Sequence, residues 1–340
     1  MVYLAACFCV AQEKTSVPDV LLTEANPVPE VSGFVAFVPT WDSGNPTLVS
    51  IVSPVLLAPL ANNLVFESRG AFEGDFQRRY GNSGDFTGAV QKSLDYAELD
   101  YIGNRYVTVT AGRFLTPFNI FNERLYPNWI RNTQTDPLIL PLGTGSDNGF
   151  MLRGGITVNK VISVNYSAYF STLSSARYLE SERHAGVRAS IFVPRERLEI
   201  GVSMQHQLQD DRLNRYGLHL VWQPRRIPFD LRAEGAYSRE EGNGLWIESA
   251  YRLLNAGPLP LRRTQLVART QVFHIGTNSG LNSNLPSAGT KRTEFGVNYY
   301  LQDNWKALGS YGRTFTAAGD SNIWTVGMTY RFAFPLGTRE

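Results

Sequence analysis

Charged side chains recur at alternate positions of otherwise apolar segments. Arg232, for example, stands two residues from both Asp230 and Glu234. Opposite charges at this spacing form ladders along one face of a strand, so we expect them to line water rather than to act as a catalytic pair. The charged residues that share this position in their segments are Arg69, Arg153, Arg188, Arg232, Arg252, Arg269, Arg292, Glu67, Glu199, Asp230, Glu234, Glu248 and Glu294.

A second polar group lies in residues 115–148, the longest stretch without such alternation. Four prolines stiffen this stretch, and several aromatic residues would let it pack against a wall. Arginines that face carboxylates across a narrow gap create a transverse field, which orders water and filters solutes by charge. The side chains that could do this are Asn122, Glu123, Arg124, Arg131 and Asp136.

Signals for enzyme chemistry are weak. None of the four histidines has a second histidine, a cysteine or a carboxylate at metal-ligand spacing. His206 and His274 share the apolar face near strand ends, where a barrel phospholipase would carry its histidine, but the spacing assigns no serine to either. No phosphate loop, dinucleotide fingerprint or Gly-x-Ser-x-Gly turn occurs in a suitable context. We therefore expect no catalysis, no cofactor and no metal.

The elements that must position these residues are strands. In one segment Leu198, Ile200, Val202 and Met204 alternate with polar or small residues, which is the period of a strand with two different faces. No helical spacing extends beyond two turns. We predict about 16 antiparallel strands of 9–11 residues, forming a single transmembrane β-barrel domain over residues 31–334.

The predicted connections alternate between two classes. Short turns at one end and long loops at the other are typical of bacterial outer-membrane barrels. A propeller would need a repeat of about 40 residues, which the chain lacks, and a sandwich would not need two classes of loop. The short turns are predicted near 61–62, 103–104, 159–160, 194–195, 224–227, 255–259 and 302–304, and the longer loops near 42–45, 74–85, 115–148, 171–183, 209–211, 239–243, 276–290 and 317–321.

Composition agrees with one barrel. The 340 residues have a formal net charge of +2, which disfavours nucleic-acid binding, and 43% hydrophobic content disfavours disorder. The mean hydropathy is −0.19. A barrel strand turns only every second residue to lipid, so averaging its two faces hides the membrane signal. Aromatic pairs such as Trp222 and Phe229 flank the short turns, as an interfacial girdle would.

The two ends of the chain carry processing signals. Residues 1–11 are an apolar run that ends on a small residue, Ala11, and holds both cysteines. We interpret it as the remnant of a signal peptide; a lipoprotein signal with its cysteine at Cys7, or a short buried segment, are the alternatives. Residues 12–30 would be a periplasmic N-terminal segment, and residues 335–340 a C-terminal tail.

The last strand begins at Thr325, continues through Gly327, Tyr330 and Phe332, and ends at Phe334. This order of a polar residue, glycine and alternating aromatics resembles the assembly signal of outer-membrane barrels. The resemblance implies that the barrel-assembly machinery is a partner and that the protein resides in a bacterial outer membrane.

A second resemblance lies in residues 111–119, which run Ala-Gly-Arg-Phe-Leu-Thr-Pro-Phe-Asn. They are similar to the Gly-Arg-Phe-x-x-Pro-Phe-Gly segment of porins of the phosphate-selective porin O and P superfamily, with Asn119 in place of the usual glycine. The resemblance implies a passive diffusion channel of about 16 strands that is often a homotrimer. The ladder of arginines and lysines that gives anion selectivity in that group is not found here.

These observations predict an outer-membrane porin that contacts outer-membrane lipids and passes small hydrophilic solutes and ions. In general porins the third long loop folds into the pore, and by that resemblance residues 115–148 would form the constriction. A cap outside the barrel or a contact between subunits is the alternative for this loop. The near balance of charges predicts weak selectivity, with a slight anion preference from the loop arginines. A barrel enzyme or lipid transporter, and a plugged structural or adhesive barrel, are the alternative functions.

Overall fold

A computed structural model describes residues 28–80, 83–159, 161–176, 179–209, 212–254, 257–278, 280 and 282–337. These residues form sixteen antiparallel strands, each paired with its neighbours in sequence, and β1 pairs with β16 to close the barrel. The predicted fold class is confirmed. The strands are β1 (Glu30–Asp42), β2 (Asn45–Ala61), β3 (Leu64–Tyr80), β4 (Ser83–Ile102), β5 (Thr108–Leu115), β6 (Ser146–Thr157), β7 (Ser163–Thr172), β8 (His184–Val193), β9 (Leu198–Gln207), β10 (Asn214–Trp222), β11 (Phe229–Ser238), β12 (Gly242–Arg252), β13 (Thr264–Ile275), β14 (Thr290–Gln302), β15 (Trp305–Thr316) and β16 (Gly319–Pro335).

The helical structure is slight. A π-helical turn spans Phe121–Leu125, and helix α1 spans Leu259–Arg262. Within the described ranges, no helix is long and apolar enough to cross a membrane. The predicted signal remnant, 1–11, and most of the predicted N-terminal segment, 12–30, lie outside the described residues.

Burial separates the two faces of each strand. On β9, Val202 is 56% exposed while its neighbour Ser203 is 5% exposed, and on β16 Trp324 is 55% exposed while Thr325 is 1% exposed. The exposed positions carry large apolar residues and the buried positions carry mostly polar ones. Because the sheet closes on itself, the exposed apolar face is the outside of the barrel and the polar face is the inside.

The predicted strict alternation of short turns and long loops is wrong. Three connections at the loop end are long, 116–145, 173–183 and 276–289, whereas β1 and β2 are joined by only two residues, as are β15 and β16. At the other end, the connection 253–263 is as long as 173–183 and contains α1. The polar, glycine-rich sequence near 74–85 predicted a loop, but residues 74–80 and 83–85 form paired strand, with Gly74 opposite Val90 and Gln77 opposite Thr87.

Strand lengths also depart from the predicted 9–11 residues. β4 has 20 residues and β5 has 8, and the two pair only over Ala97 to Ile102 of β4. The hairpin of β3 and β4 therefore rises beyond its neighbour β5. Along the uncovered edge of β4, the Nε of Arg113 donates a hydrogen bond to the carbonyl oxygen of Leu94 at 2.8 Å.

Candidate pore constriction

The segment 116–145, which we call the inner segment, leaves the wall where β5 ends. Gly112 approaches β4 so closely that a Cβ atom would lie 2.4 Å from the carbonyl oxygen of Ala97. Asn119 has a left-handed φ of 56°, a conformation in which glycine and asparagine are the preferred residues. Asparagine at this position therefore suits the backbone of the turn.

Asn119 also makes the first contacts with the far wall. Its backbone N–H donates to the hydroxyl of Ser203 on β9 at 3.0 Å, and its side-chain amide donates to the carbonyl oxygen of Gly235 on β11 at 3.1 Å. The turn at Asn119 thus carries the chain from β5 to strands that are not its neighbours in the barrel.

Asn122 closes the root of the inner segment. Its side-chain amide donates to the carbonyl oxygens of Thr116 at 3.1 Å and Gly145 at 2.8 Å, so it ties together the two ends of the segment. The residue is 4% exposed. The structure therefore places this predicted constriction residue inside the segment, where it holds the shape.

Glu123 and Arg124 point toward the wall of β8 and β9. Arg124 donates two hydrogen bonds to the carboxylate of Glu199, at 2.6 and 3.0 Å, and Glu123 forms an ion pair with Arg188. Burial alone would lower the pKa of Arg124, but the hydrogen bonds and charge of Glu199 outweigh it and raise the pKa, which keeps the guanidinium charged. The side chain of Arg124 is nevertheless 36% exposed.

Arg131 and Asp136 form an ion pair within the segment at 2.7 Å. The Arg131 guanidinium also donates to the carbonyl oxygen of Tyr126 at 2.7 Å and lies over the Tyr126 ring at 5.2 Å. Arg131 is buried, whereas the side chain of Asp136 is 57% exposed. Of this predicted pair, only the carboxylate reaches open space.

Glu234 on β11 holds the start of the inner segment. One carboxylate oxygen accepts the backbone N–H groups of Ile120 and Phe121, both at 2.6 Å, and the other accepts the indole N–H of Trp246 at 3.0 Å. The residue is 4% exposed. A buried carboxylate needs such donors to offset the loss of water.

Lys306 on β15 holds the middle of the segment and was not among the residues predicted for the site. Its ammonium donates to the carbonyl oxygens of Trp129 and Arg131, both at 2.7 Å, and of Asn128 at 3.5 Å. In the part of the chain that the structure describes, no carboxylate lies within 4.0 Å of it. The signal was present: Lys306 has the polar parity of its strand, between apolar neighbours.

Three further wall residues bind the rest of the segment. Glu248 on β12 accepts hydrogen bonds from Asn132 at 2.9 Å and Thr133 at 3.0 Å. Glu294 on β14 accepts one from the hydroxyl of Thr135 and pairs with Arg269 of β13. The segment is thus bonded to β8, β9, β11, β12, β13, β14 and β15.

Apolar contacts add to these bonds. A buried cluster joins Phe118, Ile120, Phe121, Leu125, Leu138, Ile139 and Leu142 of the segment to Ala236, Trp246, Phe273 and Leu285. Trp129 packs on a second cluster, Phe34, Ala36 and Val38 of β1. Sequence parity predicted a polar inner face and did not reveal these apolar wall residues. A wall residue that another segment covers is packed like a residue of a hydrophobic core.

The remaining predicted wall charges lie on the polar face with near partners. Arg69 binds Asp95 at 2.8 Å, and Arg153 pairs with Asp100 and with Glu98 at 3.5 Å. Arg232 pairs with Asp230. Arg292 donates to the hydroxyl of Thr314 at 3.2 Å and to the carbonyl oxygen of Asp136 at 3.3 Å. The structure spreads these side chains around the wall rather than gathering them at one point.

The two histidines considered for enzyme chemistry lie on the outer face. His206 contacts the side-chain oxygen of Asn214 at 2.9 Å. Within the described ranges, neither His206 nor His274 hydrogen-bonds a serine. The geometry assembles no nucleophile beside either ring.

Comparisons with known proteins place the fold. No protein-family model and no curated protein matches the chain. Among solved structures, Salmonella typhi OmpF in complex with daunomycin matches with a TM-score of 0.61 at 11% identity, over 89% of this chain and 97% of that one. An anion-selective porin from Comamonas acidovorans and a loop L8 deletion mutant of OmpT, an outer membrane protein of Vibrio cholerae, each match with a TM-score of 0.58 at 10% identity, over 89% of this chain and 99% of theirs. The chain has the sixteen-strand barrel fold of the outer-membrane porins.

Proposed function

We propose that the protein is a porin of the bacterial outer membrane, through which small hydrophilic solutes and ions diffuse passively. The observation that carries the proposal is a closed barrel with an apolar outside, a charged inside and one segment bonded across the polar face from β8 to β15. A single segment reaches so many strands most directly from within the lumen, where it would narrow the water path.

The outer face supports contact with outer-membrane lipids. Near the short-turn end, Trp222 packs on Phe229 at 6.0 Å, and Trp305 on Tyr330 at 4.6 Å, between ring centroids. Near the loop end, Tyr311 and Trp324 pack at 4.5 Å. Two aromatic levels separated by an aliphatic band match the two interfaces of a bilayer. The C-terminal strand that carries Tyr330 would be the element that the barrel-assembly machinery recognises.

The constriction we propose consists of Glu123, Arg124 and Asp136, the charged side chains of the inner segment with exposed surface. Asn122 and Arg131 hold the segment in shape. Because Arg124 is paired with Glu199 and Arg131 with Asp136, the loop arginines add little unbalanced positive charge. This pairing weakens the argument that the loop arginines would give the pore a slight preference for anions.

Purified protein in planar bilayers tests this proposal. The wild type should give stable conductance steps. Arg124→Glu should shift the KCl reversal potential toward that of a more cation-selective pore, because the change places two carboxylates where an ion pair stood. Arg195→Glu, on a turn where that side chain is 88% exposed, is the matched control and should shift it far less. A protein that gives no steps under several conditions would contradict the proposal.

Two finer features belong to the same proposal. The resemblance in residues 111–119 supports kinship with the phosphate-selective porin O and P superfamily and assembly as a homotrimer. Phosphate and chloride currents measured in the same bilayers, and the migration of unheated protein in gels, test these two features separately.

A plugged structural barrel is the second candidate. It is favoured by one observation: the inner segment touches β1 through Trp129 as well as strands β8 to β15. The bilayer experiment separates the two, since a plugged barrel would conduct only after the segment is displaced.

A further inference from the structure

The inner face of β2 is mostly aliphatic, interrupted by the buried Ser53, in contrast to the polar face of most other strands. Val49, Ile51, Val55 and Leu57 point inward and are half-buried. The neighbouring apolar row of β1 is covered by Trp129, whereas the row on β2 keeps exposed surface. Aliphatic surface that faces water carries a free-energy cost, which contact with the apolar part of a solute would reduce.

Each of these aliphatic residues stands directly opposite a charged residue of β3. The cross-strand pairs are Val49 with Asp75, Ile51 with Glu73, Val55 with Arg69 and Leu57 with Glu67. Opposed side chains in an antiparallel pair have Cβ atoms about 4.5–5.5 Å apart. The two strands therefore present a ladder of four rungs, apolar on one side and charged on the other.

The one positive rung is already occupied. The Arg69 guanidinium binds Asp95 at 2.8 Å and lies over the rings of Tyr96 at 5.2 Å and Tyr126 at 5.1 Å. It is 4% exposed, so it offers little surface to a passing solute.

The carboxylate rungs are open. Within the described residues, Glu73 and Asp75 have no cationic group within 4.0 Å, and one carboxylate oxygen of Asp75 is buried without a hydrogen-bond partner. Glu67 accepts a single hydrogen bond, from the hydroxyl of Tyr96 at 2.5 Å. The ladder combines aliphatic surface with unpaired negative charge.

Building on the proposed porin function, we propose that this ladder selects organic cations with an apolar body, such as alkylammonium ions. The apolar part of the solute lies on the aliphatic row of β2 while its ammonium group meets the carboxylates of β3. A small alkali cation can interact only with the carboxylates of β3. The preference for an organic cation over an alkali cation therefore depends on the apolar body of the organic cation.

The test is a pair of probes of similar size and equal charge. Permeability ratios against potassium are measured from bi-ionic reversal potentials, for n-butylammonium and for 3-hydroxypropylammonium. We expect the butylammonium ratio to exceed the other by about threefold, the gain that modest apolar contact gives.

Two sets of variants test the aliphatic row of β2 and the carboxylates of β3 separately. Val49→Thr with Val55→Thr keeps side-chain volume but adds hydroxyls, and should bring the two ratios together. Glu67→Gln with Glu73→Gln should lower the permeability of both organic cations relative to chloride by a similar factor. Val202→Thr, on the outer face of β9, is the matched control and should change neither.

The outcomes are distinct. A wild type that conducts KCl but treats the two probes alike would overturn the inference and leave the proposed function standing. A wild type that does not conduct would overturn both. If the threonine variants fail to fold, Leu57→Ala removes apolar surface from the same row: a reduced preference for butylammonium supports the inference, and an unchanged preference overturns it.

Discussion

The two walls of the barrel use the same alternation of residues in opposite ways. Between β8 and β15, several inward charges are buried and bonded to the inner segment, as Glu234 and Lys306 show. On β3, Glu73 and Asp75 stay half-exposed and have no cation beside them within the described residues. The first wall binds the inner segment, whereas in the described part of the chain these two carboxylates of β3 do not.

The comparison teaches that charge on an inner face has two separate uses. A buried charge that binds main-chain N–H or C=O groups fixes a neighbouring segment, because losing those partners would leave a polar group unsatisfied. An exposed charge without a partner remains available to interact with a solute. Parity along a strand predicts that a residue faces inward, but only the path of residues 116–145 decides between these uses.

Lys306→Met is the change expected to have the largest effect on this comparison. It removes the donor to three carbonyl groups of residues 128–131, and we expect a destabilisation of about 1–3 kcal/mol, borne mainly by the inner segment. Amide hydrogen exchange in peptides that cover 128–133 should accelerate at least tenfold.

Lys291→Met is the control, since Lys291 is exposed on the outer face of β14 and the charge change is the same. Propylammonium added to Lys306→Ala should restore protection by supplying an ammonium group to the same carbonyls. Wild-type exchange rates in Lys306→Met would show that the segment does not depend on this residue.

Glu234→Gln is expected to have a smaller, local effect. The amide keeps one acceptor oxygen for the N–H groups of Ile120 and Phe121 but loses the charge, which costs about 1–2 kcal/mol. Exchange should accelerate at 120–122 and not at 128–133. Glu73→Gln, on the other wall, should change neither stretch; faster exchange of the segment in that variant would contradict the division between the walls.

The smallest effect concerns the turn that sends the chain inward. Asn119→Ala places an ordinary residue at a φ of 56° and should lower stability by about 1–2 kcal/mol. Asn119→Gly relieves the backbone but loses the hydrogen bond to Gly235, so its melting temperature should stay close to that of the wild type. Thermal unfolding followed by circular dichroism compares the two. A glycine variant as unstable as the alanine variant would show that the lost side-chain bond, rather than the backbone conformation, dominates.

Much of the barrel follows from the sequence because a strand with one wet and one apolar face has a period that few other structures share. The alternation around Val202 predicts both the strand and its orientation. Loop lengths were harder to predict. Gly74 and Asp85 belong to a hairpin that rises past β5. Along residues 84–93 both faces are exposed, so polar sequence no longer marks a loop there.

The site was predictable only in part. Glu123, Arg124 and Asp136 could be picked out by residue type and location in the longest loop. Arg131 has the same type and location but is buried, because Asp136 and the ring of Tyr126 lie beside it. The parity of Lys306 places it on the inner face, but its bonds to residues 128–131 join distant parts of the chain, which the local pattern does not specify.

The short β5 has a consequence for how the protein can be attacked from outside. The chain turns inward after eight residues, which leaves residues 83–96 of β4 without a ladder partner on that side. Proteases bind their substrates as extended main chain, by adding a strand to an open edge. We expect this stretch to be the first cleavage site in an otherwise protease-resistant barrel. Cleavage of the protein at this stretch when protease is added to intact cells would also show which end of the barrel faces outward.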